Sequence, residues 1–472
     1  MNSYTNEQIA DLVRPDRVHH AVYSDPALFA LEMKRIFGRA WLALGHESQI
    51  ATPGAFFTTH MAAEPVIVVR DLEGEIRVLV NRCTHRGPLV CHEARGETRQ
   101  FVCPYHGWTF DPTGQLRFVP MESSYASSLC GREDLALAHV PRVASYRGFI
   151  FASLAAEGES LVDFLGPVAS SYDDIVDRAP AGEVEVAGGM FRHAYNGNWK
   201  LVLENHIDTV HPAFVHQSSV HAAREQPDAE SGDASTGGSR AGATSFADIQ
   251  IRQMRQNGAP PAVWERLGIF AGPNGHGYMG DYHSDDRLVV AMANPVFAEY
   301  RAALSARVGA ERATQILSTH RFNTIVYPNC SFMSQFRQYR IVQPIAVDRT
   351  IVNTFSFRLK GAPEAMFRDT VAFANIVNGT ASEVLTDDLE VYERAQQGLS
   401  SGLVDWVYLG RGLGGDVPDS PGLRRGGMGT SELPMRNQFE AWSRYMTAED
   451  ATATNRATPR MAPSASTLNK PL

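Results

Sequence analysis

A chain of 472 residues, 44% hydrophobic and 20% charged, has an ordinary globular composition and enough length for two or three domains. Its net charge of −9, with no offsetting basic tract, excludes a nucleic-acid partner, and no apolar run nears the roughly eighteen residues needed to cross a bilayer. Five scattered cysteines are too few for a disulfide framework, and Met1–Glu7 has no basic stretch leading into an apolar one, so a soluble, cytoplasmic protein with reduced thiols and no membrane partner is expected.

Residues 1–43 read as an N-terminal helical segment packing on a later domain. Asp25 is placed to cap a helix and Pro26 to occupy its first turn, with Leu28, Phe29, Met33, Ile36 and Phe37 at helical spacing. Residues 44–160 change to short β-like runs. Pro65–Val69 and Ile76–Val80 flank a polar turn as a hairpin that delivers Cys83 just past its second strand, and Phe101–Cys103, Trp108–Phe110 and Gly148–Leu154 read as further strands. Residues 161–446 form a larger unit. Helical periodicity returns at Leu161–Leu165 and from Asn198, antiparallel strands are expected at Tyr339–Val342 and Thr350–Leu359, and helices at Ala365–Asn378, Ser382–Gln397 and Pro434–Met446. Ala222–Thr244 has almost no large apolar residue and reads as either a disordered excursion or a mobile lid. The tail, 447–472, is rich in Ala, Thr, Pro and Ser and is expected to be disordered.

Two loops of the β-rich block carry chemistry. Cys83-Thr84-His85 is followed, after seventeen residues, by Cys103-Pro104-Tyr105-His106. Two thiolates for one iron and two imidazoles for another describe a Rieske [2Fe–2S] centre, which moves single electrons. A structural zinc site would use the same ligand types, but it usually places a cysteine pair before a histidine pair, whereas here they alternate.

Such a donor needs an acceptor, and Asn198–His216 offers one. Asp208 and His211 lie three residues apart and so share a helix face. His211 and His216 lie five apart, about 140° around a straight helix, so a bend is required, and Pro212 supplies it. Two histidines and a carboxylate make an iron site that leaves positions open for oxygen and substrate. His206 and His193 compete for the same role, and if Asp208 does another job the carboxylate could come from any of Glu383, Asp387, Asp388, Glu390 and Glu393, a run whose ordinary reading is a solvated helix face.

With both motifs in this order, the chain resembles, over nearly its whole length, the α subunits of Rieske non-haem iron aromatic-ring-hydroxylating oxygenases. In segments such as Ser145-Tyr146-Arg147-Gly148-Phe149-Ile150-Phe151 it looks most like the branch acting on benzoate, anthranilate and related aromatic acids. The resemblance implies an α+β fold, a β-rich Rieske domain beside a catalytic domain with a large antiparallel, helix-grip-like sheet covered by helices. It implies that Cys83 and Cys103 bind one cluster iron and His85 and His106 the other. It further implies that His211, His216 and Asp388 bind one mononuclear Fe(II), and that Asp208 bridges His211 to His106 of a neighbouring subunit. Three α subunits then form a ring, as a homotrimer or with three small β subunits. Electrons come from NADH through a separate reductase, with or without a ferredoxin.

Glu204 and Asn205, one turn before Asp208, are candidates for the substrate pocket or for hydrogen bonds behind the ligands. Arg340 is a candidate for a substrate carboxylate, because similar enzymes for aromatic dicarboxylates use an arginine in a like segment; otherwise it is a strand arginine paired with a surface acid. Three functions follow: cis-dihydroxylation of an aromatic ring, monooxygenation or N- or O-demethylation by the same machinery, or simple electron carriage. The length beyond the cluster loops argues against a carrier, which needs only a small domain.

Overall fold

The computed structural model describes residues 4–225, 254–255, 261–280, 294–319, 321–380, 382 and 384–448. Most of the segment expected to be a lid or a disordered excursion, Glu383, and the tail beyond 448 lie outside the described residues; Ala222–Glu225 end the helix Gln217–Glu225. Among the described residues no helix is long and apolar enough to cross a membrane.

The cluster loops sit in a unit built from small antiparallel sheets. Ile76–Val80, Glu64–Arg70, Ala55–Met61 and Arg95–Glu97 form one sheet, in that order; Leu116–Phe118, Thr109–Phe110 and Phe101–Val102 form a second. Strand Glu64–Arg70 is buried on both faces. Ile67 and Val69 join the core behind the two cluster cysteines, while Val66 and Val68, with opposite parity, join the large core of the rest of the chain.

The catalytic sheet has nine antiparallel strands: Val184–Tyr195, Arg349–Leu359, Gln338–Ala346, Cys330–Met333, Arg321–Val326, Gly277–Gly280, Gly268–Ala271, Arg424–Arg425 and Val417–Pro418, in that spatial order. With the helices around it, this is the α+β architecture that the sequence predicts. Helix Pro26–Arg35 begins as expected, the Asp25 carboxylate accepting from the Ala27 N–H at 2.7 Å.

Helix Trp199–Asn205, which leads into the iron-site segment, is fixed by one buried carboxylate. Glu32 accepts from the indole N–H of Trp199 at 2.8 Å and of Trp442 at 2.6 Å, and lies 2.5 Å from Lys200 Nζ. Lys200 also donates to the Val22 carbonyl at 2.9 Å and to Asn198 Oδ1 at 3.1 Å. A buried pair satisfied on both sides avoids the desolvation cost of a lone charge.

The expected continuous bent helix through Asp208 and His211 is not what forms. Helix Trp199–Asn205 ends before Asp208, and a new short helix, Pro212–Val215, starts with Pro212 in its first turn. The reason is local. The Asp208 carboxylate accepts from the N–H of Val210 at 3.1 Å and of His211 at 3.0 Å, a turn that competes with helix, and Pro212 has no N–H to continue one.

Candidate metal centres

The two cluster loops carry the same backbone bonds. The carbonyl of Cys83 accepts from Gly87 N–H at 2.9 Å and its N–H donates to Pro88 O at 2.9 Å. Cys103 repeats this with Gly107 at 3.0 Å and Trp108 at 2.8 Å. Gly87 (φ +86°) and Gly107 (φ +71°) close the loops in the left-handed region, where a side chain would be strained. The outcome is two buried thiols and two imidazoles from opposed loops. The His85 and His106 rings lie 4.6 Å apart, and His85 stacks on Trp108 at 4.8 Å. Burial first, and then the neighbouring Cys103 thiol, push the Cys83 thiol up, against the lowering effect of the His85 N–H. His85 Nδ1 is buried without a hydrogen-bond partner. Two sulfurs and two nitrogens so placed fit a cluster with one sulfur-held and one nitrogen-held iron.

The second centre gathers His211, His216 and Asp388, whose ligand atoms lie within 4.8 Å of one another. Nε2 of His211 and of His216 stand 3.7 and 3.5 Å from Asp388 Oδ1. Their other nitrogens face a second pair of carboxylates: His211 Nδ1 is 3.3 Å from Asp208 Oδ2, in ion-pair range though not aligned as a hydrogen bond, and His216 Nδ1 is 3.2 Å from Asp387 Oδ2. Such partners orient imidazoles and raise their basicity. Asp387 and Asp388 stand in the first turn of helix Leu385–Leu399, whose exposed N–H groups favour anions. Of the other acids in the run, Glu390 pairs outward with Arg394 and Glu393 with Asn196, as a solvated face should. Two imidazoles and one carboxylate so gathered fit a mononuclear iron.

His206 and His193 are outside this trio. His206 Nδ1 lies 2.7 Å from Ser331 Oγ, and burial holds both rings below their usual range, His193 down to about 4. Asn205 reaches the trio, donating to Asp388 Oδ1 at 3.1 Å. Glu204 instead accepts from Tyr23 OH at 3.0 and 3.2 Å, and burial raises its carboxyl to about 8. Asp208 is held from an unforeseen direction, by Arg411 Nη2 at 3.1 Å from its Oδ1. Burial alone would raise the Asp208 carboxyl, but His211, the Val210 N–H and Arg411 together keep it below its usual value.

Arg340 is 6% exposed, so the surface ion pair is excluded. Strand pairing aligns Ser331, Arg340 and Thr354 on one sheet face, with Gln338 two residues along. Nη2 of Arg340 donates to Gln338 Oε1 at 3.3 Å, and Asn378 Nδ2 donates to the same oxygen at 3.3 Å. Nη1 of Arg340 and Nε2 of Gln338 are buried without partners, and so are Thr354 Oγ1 and Asn323 Oδ1. Burial lowers the guanidinium to about 10, still charged at neutral pH, while Asp388 nearby pulls the other way. This sheet face therefore presents two unused donors and one positive charge that Asp388 feels.

The fold and the two centres define a terminal oxygenase. Residues 40–145 match the Rieske [2Fe-2S] domain family and residues 182–449 the ring hydroxylating α subunit (catalytic domain) family. The chain belongs to the ring-hydroxylating dioxygenase α subunits, a membership that implies a Rieske cluster and a mononuclear iron. It is 33% identical to the toluate 1,2-dioxygenase subunit alpha of Pseudomonas putida, over 82% of this chain and 80% of that one. It is 30% identical to the anthranilate 1,2-dioxygenase large subunit of Acinetobacter baylyi, over 84% and 80%. A solved naphthalene 1,2-dioxygenase with indole bound in its active site superposes with a TM-score of 0.75 at 27% identity, covering 93% of this chain and 94% of that one.

Proposed function

We propose that this chain cis-dihydroxylates the ring of an aromatic carboxylate, in the cytoplasm, with electrons drawn from NADH through a separate reductase. The observation that carries the substrate class is the pair of unspent donors on Arg340 and Gln338. The toluate and anthranilate enzymes among its relatives act on acids of this kind. The net reaction consumes one aromatic, one O2, two electrons and two protons and yields a diol.

In this reading Cys83 and Cys103 hold one cluster iron, His85 and His106 the other, and His211, His216 and Asp388 the mononuclear iron. When bound, these groups pass single electrons and activate O2. Asn205 holds the Asp388 oxygen that faces both imidazoles, while Asp387 and Asp208 fix the imidazoles from behind. Arg340 and Gln338 grip the substrate carboxylate and so set which ring edge faces the trio. Asp208 links His211 to His106 of a neighbouring subunit in a ring of three α chains, alone or with three small β chains.

Single turnover of pre-reduced, metal-loaded enzyme with O2 tests the proposal, with benzoates, dicarboxylates, neutral arenes and methylated aromatics analysed by mass spectrometry. A carboxylate gaining two oxygens and two hydrogens supports it. Gain of one oxygen, loss of a methyl group, or turnover of neutral arenes only would overturn it.

A further inference from the structure

Strand alternation gives the catalytic sheet a second working face. Gln338, Arg340 and Thr354 share one face; Ile341, Gln343, Asn353 and Phe355, of opposite parity, line a cleft of about 610 Å³. Its far wall is the Phe57–His60 stretch of the cluster-bearing unit. Two polar contacts stitch the walls together: Gln343 Nε2 donates to Thr59 Oγ1 at 3.0 Å, and the Val186 N–H donates to Ser48 Oγ at 2.9 Å.

The cleft is electrostatically one-sided. Arg95 and Arg192 line it, both exposed, and neither forms an ion pair among the described residues. No carboxylate is among the described residues that line it. Burial, and then the charge of Arg192, hold the His60 imidazole below its ordinary value, so the two guanidiniums supply the positive charge. Phe57, Ile341 and Phe355 give apolar surface between them, and Asn353, 7% exposed, has an Oδ1 without a partner. The volume lies within the range of small-molecule sites, roughly 300–1,000 Å³.

We propose that this interdomain cleft is a second small-molecule site, separate from the His211, His216 and Asp388 trio, that takes an aromatic monoanion. Its guanidiniums meet the charge and its apolar walls meet the ring. A ligand there touches both the cluster-bearing unit and the strands that present Arg340 on their other face, so its binding bears on both. The proposal stands independently of which substrate reacts at the iron.

The probe is anilinonaphthalene sulfonate, followed by fluorescence on metal-loaded enzyme, with uncharged N-phenylnaphthylamine as its control. The expected result is one saturable site per chain. Its affinity should fall at least tenfold in the Arg95→Ala/Arg192→Ala double variant and stay unchanged in Arg340→Met, with the neutral analogue bound at least tenfold more weakly. Both arginines are exposed, so the double variant retains its fold, checked by circular dichroism and iron content. No saturable binding, equal affinity in the double variant, loss of binding in Arg340→Met, or equal affinity for the neutral analogue would each overturn it.

Discussion

Arg340→Met separates recognition from stability in one experiment. The wild-type guanidinium is buried, one of its terminal nitrogens has no partner, and burial lowers it from its ordinary 12.5 to about 10. At about 1.4 kcal/mol per pH unit, holding that charge costs the empty fold about 3 kcal/mol. Methionine fills similar space without the charge, so the variant should melt no lower than wild type and most plainly higher at neutral pH. The carboxylate of a bound substrate loses a charge-assisted hydrogen bond worth about 1.5–3 kcal/mol, so kcat/KM for benzoates should fall about 10- to 150-fold. Neutral arenes of the same shape should lose nothing comparable. The assay is kcat/KM for a benzoate and for the matching methylarene, with iron content and melting temperature measured on the same preparations. Equal losses on both substrates, or a melting temperature several degrees lower, would refute the reasoning.

Asp208→Asn should leave cluster and iron bound while slowing reoxidation of the reduced cluster about 10- to 100-fold in stopped flow; iron loss that accounts for the whole defect would rule out the bridging role. Lys200→Met strands the Glu32 carboxylate in the core with only two indole donors, which should cost about 3–5 kcal/mol in urea unfolding, and Glu32→Gln on top should recover part of it. His276 is buried as a neutral ring, Nε2 donating to the Phe164 carbonyl at 2.8 Å and Nδ1 accepting from the Tyr327 N–H at 3.0 Å; burial lowers it from 6.5 to about 4. The unfolded chain then binds the extra proton first, so about 3 kcal/mol present above pH 6.5 should drain away as pH falls toward 4. His276→Gln should flatten that dependence, and an unchanged slope would assign it to other groups.

What the sequence made legible was local. The cluster loops are read from spacing because each is a short loop closed by its own backbone bonds, and Asp25-Pro26 marks a helix start because cap and first turn are adjacent. The hairpin that delivers Cys83 is likewise a neighbouring pair of strands. The segment after Asn205 misled because Ile207 and Val210 keep helical spacing, while the Asp208 turn decides the backbone. Arg411 was invisible because it lies 203 residues from Asp208 and nothing in its own neighbourhood announces the contact. The distinct jobs of Asp387 and Asp388 depend on which way each turns from one helix, which adjacency in sequence leaves open. Strands Gly268–Ala271 and Gly277–Gly280 are faint in the sequence because each has four residues and glycine at one end or both, which weakens any β pattern.

The carboxylate of Glu32 has a further meaning for biogenesis. Trp442, one of its donors, lies 410 residues further along the chain. At roughly 5–20 residues per second, a ribosome reaches that tryptophan about 20–80 seconds after adding the glutamate. From the time residues 199–205 are made until Trp442 follows, the helix leading into the iron-site segment can dock only around an incompletely satisfied anion. The core is thus sealed by the last of the described helices, Leu433–Thr447, and a chain truncated just short of Leu433 should be left with an open core that chaperones and proteases recognise.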